Sequence, residues 1–194
     1  YVNFGSGVGV AYDEAFEQPM ALERLRTYTD AIAADNDATL KARLMIETGR
    51  FPTAQAGTYW LKVVDKKLSR GRTYVIAENC MNGLQKPALA AMLRHELGGK
   101  APAPYEPLFT SEWAFPIIAH GDGSRTETVD LVGNLCCAAD VLAEDFTGPA
   151  LDIGDLIEVR NAGAYACTLT AQRFSSHTPP QELLVHGDGR VETE

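Results

Sequence analysis

The rhythm of apolar and polar positions changes near residue 51. Before it, strands and a helix alternate. Tyr1 to Phe4 is a short apolar run that ends in the turn Gly5-Ser6-Gly7-Val8-Gly9. Leu22, Leu25, Ile32 and Leu40 then recur near helical spacing, with Glu23, Arg24, Arg26 and Asp30 on the other face. Pro19 stands where a fixed φ suits a helix start. ARLMIETGRF reads as a buried strand, Leu44 to Glu47, running into a loop. Strand, glycine turn, helix, strand is the order of a parallel α/β sheet.

From Phe51 on, β-branched and aromatic runs dominate. TYWLKVVDKKL and RTYVIAENC are joined by Ser69-Arg70-Gly71, a hairpin connection. WAFPIIAH, TETVDLVGNLC, DLIEVRNAGAYAC and ELLVHGDGRVE continue in the same style. The pattern predicts a mostly antiparallel region of roughly seven strands. Short helical pieces are expected at Leu89 to Leu97 and Ala139 to Glu144. Gly98-Gly99-Lys100 with Pro102, Pro104 and Pro107 reads as the longest loop. A two-strand α/β piece leaves sheet edges and an apolar face without partners. Residues 1–52 are therefore expected to be the last strands and helix of an (α/β)8 barrel. Residues 53–194 are expected to form a mostly antiparallel β-domain, making the whole an α+β fragment of a larger protein.

Composition narrows the functions. The chain has 194 residues and a formal net charge of −9. That excess of carboxylates argues against binding nucleic acid or an anionic membrane. No apolar run approaches the ~18 residues of a membrane helix, and the first residues do not read as a secretion signal. The four cysteines, Cys80, Cys136, Cys137 and Cys167, have no C-x-x-C spacing, so free thiols in a cytoplasmic setting are expected and a metal site is not.

Each local motif has a plain reading beside a chemical one. A loop of glycines after a strand brings backbone amides close to a phosphate, or is simply a tight turn. Glu47-Thr48-Gly49-Arg50 ends a strand where α/β barrels place ligands, or forms an internal ion pair. Cys136, after the strand VDLVGNL, reads locally as a small packed hydrophobe, and Asp140 as a possible N-cap for the helix after it. Tyr165, after Ala162-Gly163-Ala164, offers a hydroxyl donor, or stands idle at a strand edge.

Their order carries more than any one of them. VNFGSGVGVAYDE, ARLMIETGRF, GNLCCAADVLAED and DLIEVRNAGAYAC together resemble the fold-type III (alanine racemase-like) pyridoxal-phosphate decarboxylases, the family of diaminopimelate, ornithine and arginine decarboxylases. The resemblance spans the chain and matches the family's D-x-G-G-G-F-G, E-P-G-R, G-P-x-C-x-x-x-D and G-A-Y segments. It implies pyridoxal 5'-phosphate as cofactor. Gly5, Ser6, Gly7 and Gly9 would hold its phosphate through backbone amides. Glu47 would pair with the ring nitrogen, Arg50 with phosphate or substrate carboxylate, and Tyr165 with the phosphate. Cys136 would reach into a partner subunit's site as the proton donor after CO2 leaves, which implies a homodimer with shared active sites. Lys86, Cys137 and Asp140 would face the substrate, a small amino acid.

The departures matter too. The family's Schiff-base lysine, in a Tyr-x-x-Lys-Ala motif, has no counterpart here, so the chain is expected to be the C-terminal part of such an enzyme. Cys137 stands where an acidic residue usually binds a distal amine. In MNGLQKPAL, Lys86 and Ala90 replace the Arg and Tyr of the diaminopimelate enzymes' R-P-x-L-Y. Lys86 keeps a charge without the bidentate fork, or is a solvated loop lysine. The pattern is similar to divergent members acting on larger or modified amino acids in siderophore and other secondary biosynthesis. The alternative is a non-catalytic dimerisation or binding module with a degenerate site.

Overall fold

The computed structural model describes residues 1–5, 10, 22–36, 41–96 and 114–193. Along the chain these form Val2–Asn3 (β1), Leu22–Asp35 (α1), Leu44–Met45 (β2), Arg50–Thr53 (α2), Tyr59–Ser69 (β3), Arg72–Ala77 (β4) and Gln85–Glu96 (α3). There follow Ile117–His120 (β5), Asp122–Gly133 (β6), Val141–Ala150 (β7), Leu156–Val159 (β8), Leu183–Val185 (β9) and Val191–Thr193 (β10). Three sheets result: β1 with β2, β9 with β10, and a six-stranded sheet in the order β5-β8-β3-β4-β6-β7.

The period-two alternation from Tyr59 to Ala77 makes the central hairpin. Leu61 and Val63 of β3 and Val75 and Ala77 of β4 point inward, while Lys62, Asp65 and Lys67 stay exposed. Leu131 of β6 and Ile157 and Val159 of β8 complete the core. Each of these Leu, Ile and Val side chains contributes about 1.5–3 kcal/mol by leaving water. The edge strands β5 and β7 approach each other, so the sheet curls nearly shut and the core lies inside it.

Three expectations change. The sheet is mixed, because β4 and β6 pair in parallel, with Tyr74 opposite Asp130 and Ala77 opposite Gly133. The long connection through α3 and β5 makes that direction possible. The segment expected as a helix from Ala139 to Glu144 is instead the start of β7, with Val141 opposite Val132 and Ala143 opposite Leu131. Pairing along β6 outweighs its weak local preference, and Asp140 has no helix to cap. The strand at Leu44 is parallel to β1 as expected but is not buried, since Met45 is exposed and Leu44 only half-buried. Leu40, Pro19, Leu97 and the glycine- and proline-rich stretch from Gly98 to Pro107 lie outside the described residues.

One ion pair clamps the parallel strands. Arg72 Nε donates to Asp130 Oδ2 at 2.6 Å, and its Nη2 donates to Asp130 Oδ1 at 2.5 Å and to Asp145 Oδ1 at 3.0 Å. Asp130 is buried, and its hydrogen bonds from Arg72 hold the carboxyl below its ordinary range. A lowered value means that the stabilisation is present above the unfolded value and is lost as pH falls through the folded one. Arg72→Leu is expected to lower the melting temperature at pH 6 by about 3–6 °C. The gap from wild type should narrow as pH falls through the lowered folded value of Asp130, below which the carboxyl is protonated in both proteins. Melting curves across that range would show it; a gap independent of pH would refute the assignment.

Candidate active site

The parallel pairing of β1 with β2 brings Asn3, Gly5 and Glu47 together. Asn3 Nδ2 donates to Glu47 Oε1 at 2.6 Å, and Asn3 Oδ1 accepts the Gly5 N–H at 2.8 Å. The Glu47 N–H donates to the Gly5 carbonyl at 2.6 Å. Glu47 is thus held by one oxygen while remaining exposed to solvent. Asn3 escaped the sequence reading, although an Asn two residues before a glycine is an Asx-turn signal. Ser6, Gly7 and Gly9 lie outside the described residues.

A second group forms around Tyr165. The backbone that carries it docks on the segment after α2: the Ala162 N–H donates to Gly57 O at 2.9 Å and the Gly163 N–H to Ala54 O at 3.0 Å. The two glycines touch. A Cβ on Gly163 would fall on the Thr53 carbonyl, and one on Gly57 would fall on the Gly163 backbone. Tyr165 itself has φ 55°, a conformation that costs a bulky residue about 1 kcal/mol or more. Its hydroxyl reaches the loop between Glu47 and Arg50, 3.6 Å from where a Gly49 Cβ would stand.

Two cations flank the Tyr165 ring. The Arg50 guanidinium carbon is 5.8 Å from the ring centroid and Lys86 Nζ is 4.9 Å from it. Lys86 is neither solvated nor on a loop. It sits in the first turn of α3 with 4% of its surface exposed, donates to the Ala164 carbonyl, and lies 5.9 Å from the Phe115 ring centroid. The same end of α3 is tied down by the Gln85 N–H, which donates to Thr170 Oγ1 at 3.2 Å. Arg50, Lys86 and the Tyr165 ring therefore come together from three separate stretches of chain. Two cations beside a phenol donor suit a phosphate or carboxylate.

Cys136 belongs to a third group, on the connection between β6 and β7. Its thiol is exposed and Cys137 is half-buried. Asp140 turns inward instead, its carboxylate accepting the Met81 N–H at 2.7 Å and the Leu135 N–H at 2.9 Å. Cys80 packs against it. Burial first, then the Asp140 charge and a hydrogen bond to it, push the Cys80 thiol well above its ordinary range. Cys80 carried no signal in the sequence beyond its place at the end of an apolar strand.

The residues present fit pyridoxal 5'-phosphate by the chemistry of the donor set. The cation–phenol group matches a dianionic phosphate, and an exposed carboxylate at the end of β2 matches a protonated ring nitrogen.

Comparison with known proteins places the chain in a family. The family profile described as "Pyridoxal-dependent decarboxylase, C-terminal sheet domain" matches residues 10–163. An L-glutamyl-[BtrI acyl-carrier protein] decarboxylase of Niallia circulans is 30% identical over 186 residues, which cover 94% of this chain and 40% of that protein. A 2-[(L-alanin-3-ylcarbamoyl)methyl]-2-hydroxybutanedioate decarboxylase of Staphylococcus aureus is 30% identical over 188 residues, covering 95% of this chain and 43% of its own. The crystal structure of a diaminopimelate decarboxylase from M. jannaschii superposes with a TM-score of 0.73 at 22% identity, over 99% of this chain and 40% of that one. The chain thus spans well under half the length of these relatives. With a matching profile over most of its length and a sheet that superposes on a solved member, the chain belongs to the pyridoxal-dependent decarboxylase family, as its C-terminal sheet domain.

Proposed function

We propose that this chain is the sheet half of a cytoplasmic carboxy-lyase that uses pyridoxal 5'-phosphate and works as a homodimer with shared active sites. Residues 1–52 are then the end of the cofactor-binding barrel and residues 53–194 the domain that closes the site. The observation that carries the reading is the convergence of Arg50, Lys86 and Tyr165 beside the loop that bears Glu47.

When bound, the cofactor supplies an electron sink for the carbon that loses CO2. Arg50 and the Tyr165 hydroxyl hold its phosphate, with the amides of Gly5, Ser6, Gly7 and Gly9. Glu47, oriented by Asn3, keeps a proton at the ring nitrogen. Cys136 would be placed in the partner subunit's site as the proton donor to the substrate carbon. Lys86 keeps the Tyr165 turn in place and adds positive charge near the substrate. Cys137 offers no charge for a distal amine, which disfavours plain diamino acids. The Niallia circulans and Staphylococcus aureus relatives are named for substrates that are modified amino acids, and we assign this protein to the same substrate class.

The test is direct. The intact protein that carries this chain is incubated with pyridoxal 5'-phosphate, reduced with borohydride and digested. A cofactor label on one lysine peptide is expected. No labelled lysine would overturn the enzyme reading and favour a binding or dimerisation module.

A further inference from the structure

Two stretches of chain that carry candidate chemistry share one buried carboxylate. Asp140 is 3% exposed. One of its oxygens accepts the Met81 N–H and the other the Leu135 N–H, and the buried Cys80 thiol lies beside it. On its own side the Asp140 N–H donates to Cys137 O at 3.1 Å, and the Gly133 N–H donates to Asp140 O at 2.8 Å. Cys136 is therefore pinned between two anchors, Leu135 and Cys137, that both end on Asp140. Gly133 passes so close that a Cβ there would fall on the carboxylate.

The other side is just as rigid. The Gly83 and Leu84 N–H groups donate to Cys80 O at 3.2 and 2.8 Å, closing a tight turn that runs straight into α3 and Lys86. Tyr59 Oη donates to Asn79 O at 2.6 Å, and Asn82 Nδ2 to Asn79 Oδ1 at 2.8 Å, bracing that turn. A shift of the carboxylate moves both the Cys136 connection and the turn that leads to Lys86 and Tyr165.

We infer that Asp140 is a positioning residue: with Cys80 it fixes the connection that carries Cys136 toward the partner subunit's site against the turn that leads into α3. It acts from inside the protein and does not contact the substrate. A carboxylate is required because each oxygen must accept an N–H. An amide in its place would set N–H against N–H and leave a buried donor without an acceptor. The inference rests on the reading of Cys136 as proton donor.

Asp140→Asn and Cys80→Ala test it in the intact protein. Iodoacetamide labelling of Cys136, followed by mass spectrometry without cofactor or substrate, should change by about fivefold in Asp140→Asn as the connection loosens. In turnover, kcat should fall about a hundredfold while KM stays within about twofold, as for a displaced group that does not bind substrate. Cys80→Ala should move both in the same direction by less, and it decides the matter if Asp140→Asn does not fold. Labelling and kcat both within twofold of wild type in the folded variant would overturn the inference. A wild-type protein that takes up no pyridoxal 5'-phosphate would overturn the decarboxylase reading alone, since the labelling needs no cofactor.

Discussion

Replacing Cys136 with alanine in the intact protein is expected to lower decarboxylation by about 10²- to 10⁴-fold while leaving cofactor binding within about twofold. The size follows from the role. A positioned proton donor contributes that much when the carbon it serves has no other acid within reach. The split between turnover and binding follows from the structure. Cys136 stands on the β6–β7 connection, while Glu47, Arg50 and Tyr165 sit on other segments and do not depend on its side chain. Loss of a small exposed thiol also leaves no cavity, so folding should be unaffected. Product formation in single turnovers, beside cofactor titration by absorbance, measures the two effects separately. Unchanged turnover would remove Cys136 from the chemistry, and loss of both together would point to a folding defect. Cys137→Ala is the matched control for the neighbouring thiol.

The second large effect concerns folding. Gly163→Ala is expected to destabilise the protein by about 3 kcal/mol or more. The added methyl group would meet the Thr53 carbonyl and the Gly57 amide, both of them backbone. Backbone cannot rotate away as a flexible side chain does, so the two segments must separate. Separation breaks the Gly163–Ala54 and Ala162–Gly57 hydrogen bonds that seat the Tyr165 turn. Cofactor affinity should then fall with stability, unlike in Cys136→Ala. Gly123→Ala is the control, because a methyl group there meets nothing within 4 Å; it should stay within about 0.5 kcal/mol of wild type. Urea unfolding of the three proteins would show the contrast, and equal midpoints for the two variants would refute the packing argument.

Much of this was legible in the amino-acid order, and the exceptions share a cause. The alternation from Tyr59 to Ala77 determined the central hairpin, because period-two burial is a local property of neighbouring side chains. The order of the glycine turn, E-T-G-R, C-x-x-x-D and G-A-Y pointed to the family that the profile over residues 10–163 shows. Only the tertiary structure decided what Lys86 does. Its acceptor, the Ala164 carbonyl, lies 78 residues away, and nothing near Lys86 in the chain announces burial. The same holds for Asp140, whose partner Met81 is 59 residues distant. Residues 141–150 became a strand because β6 offered a row of backbone partners that no local preference records. Local pattern says which side chains want to leave water; the folded chain alone decides which partners they meet when they do.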